Sequence, residues 1–362
     1  MEALDLYWFK FLKAKKTKRD QGFSEMALED AVSPFRVSPH LRHKRINRLP
    51  HFRGNARDQF YESGNSQFAS IRQRFSHAFT PSQPVIHRDR FAGRADALGK
   101  LIRGIEDQRL HAILYGDRGI GKTSLLHILA DTAREAGYAV LYHSCDADTH
   151  FDEIFRSVLA QIPQLYHGGV TPTDDPVETG ASLLDMAPPT TALSPRHVTD
   201  LLAPVVGIRI VIILDEFDRA TSSQFRRSVA ELIKNLSDRS ARVQLVVAGV
   251  AANFTELVEH IPSIRRNILN LELSYMADEE IDEMLWIGAE ASGLGFDEAA
   301  RLHIRTIANG SPYIAALLAH HAGLAAIDEE VGEVSLGHVA IALESALDEL
   351  GSHIRKASLA QV

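Results

Sequence analysis

Between an apolar run of strand length, His111–Tyr115, and a helical run, Ser124–Ala136, lies Gly116-Asp117-Arg118-Gly119-Ile120-Gly121-Lys122-Thr123. Strand, G-x-x-x-x-G-K-[ST] and helix in that order constrain the fold more tightly than any other feature of the chain. The glycines let successive backbone N–H groups turn inward onto phosphate oxygens, and the helix that follows presents the positive end of its dipole there. Lys122 would neutralise the β- and γ-phosphates of a nucleotide, and the Thr123 hydroxyl would coordinate Mg²⁺. Gly116 to Ser124 is therefore the expected binding stretch for ATP and Mg²⁺ (Walker A).

A second element supports the first. Ile210-Val211-Ile212-Ile213-Leu214-Asp215-Glu216 is a buried parallel strand ending in two adjacent carboxylates, about 90 residues after the glycine-rich loop (Walker B). Asp215 is placed to hold the Mg²⁺ shell and Glu216 to polarise an attacking water, because phosphoryl transfer mostly demands positioning and charge stabilisation. Asp218 is expected to face solvent or to cap a helix.

From residue 91 apolar runs of strand length alternate with longer amphipathic segments, the pattern of a parallel sheet flanked by helices. The expected strands are His111–Tyr115, Tyr138–His143, Ile208–Leu214, Arg242–Ala248 and Ile268–Leu273. A Gly-, Pro- and Thr-rich stretch over about 166–195 is expected to be a surface insertion. After the fifth strand the pattern is helical near 277–292, 297–309, 312–326 and 337–356. The expected organisation is an N-terminal arm, 1–87, partly extended or disordered; an α/β domain, 88–275; and a helical domain, 276–362.

These motifs, with Phe91-Ala-Gly-Arg94, Val247-Ala-Gly-Val-Ala251 and Asn309-Gly-Ser-Pro-Tyr313, resemble those of the AAA+ and STAND branches of the P-loop ATPases, with most likeness to the origin-recognition-like AAA ATPases. The resemblance spans about 88–350 and implies a five-stranded P-loop NTPase fold with an all-helical lid, and ATP hydrolysis. It points to Phe91 and Arg94 as base-side residues, although the same residues also suit a helix start. At the place of the polar sensor after the fourth strand stand Ala248 and Gly249, a departure from the family, with Asn253 the nearest candidate. Arg265 and Arg266 fall where such ATPases carry an arginine finger that acts on a neighbouring subunit, or they are surface arginines. Gly310-Ser-Pro312 replaces the sensing arginine of many AAA+ lids with a pattern resembling STAND proteins, which implies a proline near the adenine. Pro312 at a first helical position capped by Ser311 is the alternative, and both can hold.

Charge is distributed unevenly. Residues 1–90 carry 17 Lys and Arg against 9 Asp and Glu, within a chain of net charge −8. Leu4, Tyr7, Trp8, Phe11 and Leu12 follow helical spacing and lead into Lys13, Lys15, Lys16, Lys18 and Arg19. Such a basic amphipathic helix suits docking on the body or another subunit, or contact with nucleic acid or a membrane surface. The single cysteine, Cys145, excludes an internal disulfide and a cysteine metal cluster. With no run approaching about 18 apolar residues and no signal-peptide pattern, the expected location is cytoplasmic. The 17 histidines include no pair with metal-ligand spacing beside carboxylates; His320 and His321 are adjacent on a helix and diverge.

Three uses of ATP remain open: a regulatory or assembly switch, a DNA-associated ATPase of initiator, loader or transposition-helper kind working through the basic arm, and an ATP-bound scaffold with negligible turnover. Too few residues follow the helical segments for a winged-helix reader of duplex DNA, which counts against a full initiator. The partners to expect are ATP, a homo-oligomer with the finger in trans, and a DNA or protein partner for the arm.

Overall fold

The computed structural model describes residues 67–171, 180–250 and 266–359, the side chains of 67, 69 and 349–359 excepted. Five parallel strands form the main sheet: β1 (His111–Tyr115), β2 (Ala139–Ser144), β3 (Ile210–Asp215), β4 (Val243–Gly249) and β5 (Ile268–Glu272), in the order β2-β3-β4-β1-β5. β3 and β4 lie inside the sheet and are buried along their whole length, which is why their sequences are unbroken apolar runs.

Successive side chains of β3 leave opposite faces. Ile210, Ile212 and Leu214 pack with Leu245 and Val247 against α4 (Phe151–Ala160), α5 (Pro195–Leu202) and α6 (Ser223–Asp238). Val211 and Ile213 pack with Val246 and Ala248 against α2 (Ala95–Glu106) and α3 (Lys122–Glu135). His111 is buried in β1, where its Nδ1 accepts the Leu245 N–H at 2.9 Å; burial lowers its pKa to about 4, so the ring is neutral and fits the sheet.

The helical part is built from α7 (Asp278–Ser292), α8 (Glu298–Ala308), α9 (Pro312–Asp328) and α10 (Leu336–Leu359), with a short parallel pair, β6 (Gly295–Phe296) and β7 (Glu333–Val334). Its core also takes in residues assigned by sequence to the arm. Gln67–Ala78 is a helix, α1, and Ile71, Phe75 and Phe79 are buried with Ile281, Leu285, Leu318 and Ala322. Two glycines make room for them: a Cβ on Gly323 would stand 1.9 Å from Phe75 Cζ, and one on Gly288 would stand 2.0 Å from Phe79 Cζ. The expected arm boundary at 87 is corrected accordingly, since 67–79 belongs to the helical core. Residues 1–66, including the basic helix expected at the start of the arm, lie outside the described residues.

Residues 80–94 then run back to the sheet domain. Val85 N–H donates to Ser124 Oγ at 3.0 Å, and Arg88 pairs with Asp131 and Glu135 on α3 at 3.0 and 2.5 Å.

The surface insertion expected at 166–195 also needs correcting. Leu183, Ala187 and Leu193 are buried in the core on the α4 side, and Arg156 donates to Pro188 O and Thr191 O while Asp152 accepts the Leu193 N–H. These three apolar residues tie down 183–193, while 172–179 lie outside the described residues. Among the described residues no helix is long and apolar enough to cross a membrane.

Candidate nucleotide site

The glycine-rich loop leaves β1 and enters α3 at Lys122, with Gly121 at the N-cap in the left-handed region (φ 95°). Gly119 is also left-handed (φ 74°), and a Cβ there would stand 3.1 Å from Tyr313 Cβ, so only glycine fits both the turn and the neighbour. Ile120 is buried in the α3-side core and anchors the loop, while Asp117, Arg118 and Gly119 are exposed. The Lys122 ammonium donates to Gly116 O at 2.8 Å and Asp117 O at 2.7 Å. Burial lowers its pKa, opposed by the negative charges of Asp218, Asp215 and Asp117. Thr123 lies half-buried on the first turn of α3.

Asp215, 3% exposed, ends β3 with both carboxylate oxygens engaged. Oδ1 accepts the Glu216 N–H and Oδ2 the Tyr142 hydroxyl, each at 2.7 Å. Burial, then the bond to Asp215, raises the Tyr142 pKa, so the phenol keeps its proton and donates. The Tyr142 ring stacks on His127 of α3, centroids 4.8 Å apart and planes 7° from parallel. Glu216 is left-handed (φ 52°), an uncommon backbone for a non-glycine residue that turns the chain sharply after the strand. Its Oε2 accepts from Ser144 Oγ at 3.1 Å and from Arg219 Nη1 at 2.7 Å.

These groups suit a nucleotide and a hard cation. The loop offers glycines at a helix N-terminus and a lysine, and a buried carboxylate stands near enough for its charge to act on that lysine. Among the described residues no cluster of three or more His, Cys, Asp or Glu could hold a metal by itself.

Residues 90–247 match a protein-family model described as an AAA ATPase domain. Residues 90–247 thus carry an AAA ATPase domain. The fold superposes on the Aeropyrum pernix ORC2 protein, solved as ADPNP-ADP complexes, with TM-score 0.50 and 18% identity over 74% of this chain and 71% of that one. It also superposes on CDC6P from Pyrobaculum aerophilum, with TM-score 0.51 and 16% identity over 72% of this chain and 68% of that one. At these identities the likeness is one of fold. No curated protein matches the chain.

The other expected site residues lie as follows. Ser124 Oγ serves the Val85 N–H rather than facing the loop alone. Phe91 packs on the α3-side core. Arg94 stands at the N-cap of α2 with its side chain buried, donating to Ser274 O at 2.6 Å and Ile120 O at 3.4 Å, so it ties the loop to the chain after β5. Burial lowers its pKa, opposed by Glu280. Pro312 opens α9 and Ser311 Oγ accepts the Ile314 N–H, as the helix-start reading expects, and Pro312 Cγ stands 4.0 Å from where a Gly121 Cβ would be, beside the glycine-rich loop. Arg266 is exposed just before β5, and Arg265 and Asn253 lie outside the described residues.

The departure at the sensor position has a physical reason. A Cβ on Gly249 would stand 2.6 Å from Asp218 Oδ1, and that oxygen accepts the Val250 N–H at 3.2 Å. Asp218 thus occupies the space a side chain would need and closes the ends of β3 and β4, instead of facing solvent alone.

Sequence reasoning missed Tyr142, His127, Ser144 and Arg219. The available signal was the alternation of Tyr142 and Ser144 in β2, which places both on one face. Their value emerges only with the register, in which Ser144 lies beside Asp215.

Proposed function

We propose that this protein is an AAA ATPase that binds ATP with Mg²⁺, hydrolyses it, and uses the nucleotide state to set the position of its helical lid as a regulatory or assembly switch in the cytoplasm. The observation that carries the reading is the glycine-rich loop that sets Lys122 and Thr123 at the head of α3, with Asp215 at the end of β3 near enough for its charge to act on Lys122. A bound Mg²⁺ supplies charge neutralisation at the phosphates. The loop amides and Lys122 would bind and orient the phosphates, Thr123 and Asp215 would hold the metal's oxygen shell, and the Glu216 carboxylate would accept a proton from water. For that last role Glu216 must loosen its bonds to Ser144 and Arg219, both at exposed side chains.

Lid contacts support the switch. Tyr313 of α9 abuts Gly119 and Glu283 of α7 accepts the Gly93 N–H at 3.0 Å, while in the connection between β5 and α7 the Tyr275 hydroxyl donates to Asp117 Oδ2 at 2.9 Å. A phosphate that reorders the loop would therefore favour one lid position over another, which is what a ligand needs in order to shift a conformational equilibrium.

Assembly and DNA contact are tested together by light scattering. Particle mass is expected to rise with ATP, and Arg265→Ala or Arg266→Ala is expected to lower turnover in the assembled state by about 10³-fold or more if that arginine is the finger. An unchanged monomer that still turns over would contradict the finger in trans. The basic excess of residues 1–90 favours a second reading, a DNA-associated ATPase. Oligonucleotide binding that falls steeply with salt and disappears on deleting residues 1–20 is its expected signature, and arm-independent binding would contradict it.

A further inference from the structure

We infer that Tyr142 and His127 form a positioning pair that fixes the Asp215 carboxylate toward the divalent cation of the nucleotide complex. This rests on the assignment of Asp215 and Thr123 to the metal shell made above.

A carboxylate at the end of a strand can rotate about its terminal bond. Here that rotation is stopped from both sides, because the Glu216 N–H holds Oδ1 and the Tyr142 hydroxyl holds Oδ2, each at 2.7 Å. An ionised carboxylate has about four lone-pair directions, so one donor on each oxygen leaves acceptor capacity in a fixed plane. The Glu216 N–H is part of the backbone turn. The Tyr142 hydroxyl reaches across from the adjacent strand, and its direction depends on where the ring lies.

His127 sets the ring. Its imidazole lies against the Tyr142 ring at 4.8 Å with planes 7° apart, and it stands one helical turn after Thr123 on α3, so the two share a helix face. Thr123 on α3 and Asp215 on β3, the two side chains assigned to the metal, are thus joined through His127 and Tyr142. Movement of α3 relative to β3 would be resisted at the distance that matters for the cation. Groups that orient a metal ligand from behind commonly contribute about 10–100-fold to metal affinity or activity.

The test separates this role from simple packing. Affinity for ATPγS is measured by titration calorimetry in Mg²⁺ and in EDTA, for wild type, Tyr142→Phe, His127→Ala and His127→Phe. Tyr142→Phe keeps the stacked ring and removes only the hydroxyl, and is expected to reduce the Mg²⁺-dependent gain in affinity about tenfold while leaving the EDTA value unchanged. His127→Ala is expected to lose part of the same gain and His127→Phe, which restores a flat ring, to recover it. A Tyr142→Phe protein with the full wild-type gain, or one that weakens equally in EDTA, would overturn the pair. A wild type with no Mg²⁺-dependent gain would overturn the metal assignment itself, and the pair with it, and is distinguishable because it appears before any substitution.

Discussion

Glu216→Gln is expected to bind ATP as wild type does and to turn it over at least about 100-fold more slowly, since a positioned general base contributes on the order of 10²–10⁴-fold. Binding persists because the phosphates are assigned to the Gly116–Thr123 backbone, Lys122 and the Asp215-held cation, none of which the substitution removes. The amide keeps the size of the carboxylate and an oxygen for the Ser144 hydroxyl to donate to, so the turn after β3 remains. The pair with Arg219, between exposed side chains, contributes little to stability. Single-turnover measurement with nucleotide affinity measured in parallel distinguishes loss of chemistry from loss of binding. Equal turnover would show that Glu216 is not the base.

Phe75→Ala is expected to destabilise the helical domain by about 3–5 kcal/mol, the usual cost of deleting a fully buried aromatic ring. Phe75 is 0% exposed, its centroid lies 5.0 Å from that of Phe79, and it fills the notch left by Gly323. Gly323→Leu approaches the same contact from the other side and is expected to be comparably damaging, because its Cβ has nowhere to go without expelling the ring. Denaturant unfolding followed by helix content gives both values. A change below about 1 kcal/mol for both would mean that α1 contributes no core, since such a change is within the range of ordinary surface substitution. A large effect would place residues 67–79 mechanically within the lid, so that whatever the N-terminal arm touches is tied to lid position.

The sheet and the phosphate loop were legible because each carries its own local signal. β3 is an unbroken apolar run ending in Asp215 and Glu216, and the loop pairs its glycines with Lys122 and Thr123 between a strand and a helix. Strand limits differ from expectation by a residue or two, as in β2, read as Tyr138–His143 and observed as Ala139–Ser144. Less legible were features whose meaning lies in a distant partner. Phe68, Ile71, Phe75 and Phe79 have helical spacing, yet nothing nearby in the sequence says that Gly288 and Gly323 are shaped to receive two of the rings. Tyr142 looked like a strand aromatic, and only the parallel register with β3 brings its hydroxyl to Asp215. The glycine at 249 looked like a missing sensor until Asp218 was seen to fill its place. Composition misled at 166–195, where frequent Gly and Pro outweighed the few residues, Leu183 and Leu193 among them, that reach the core.

The central claim is that Lys122 and the loop around it bind ATP for hydrolysis, and steady-state phosphate release by wild type and Lys122→Ala tests it most directly. Wild type is expected to release phosphate from ATP in Mg²⁺, and Lys122→Ala to lose about 10²-fold or more of that rate, because the ammonium stabilises charge on the transferring phosphoryl group. Phosphate release that is the same in both proteins would contradict the account.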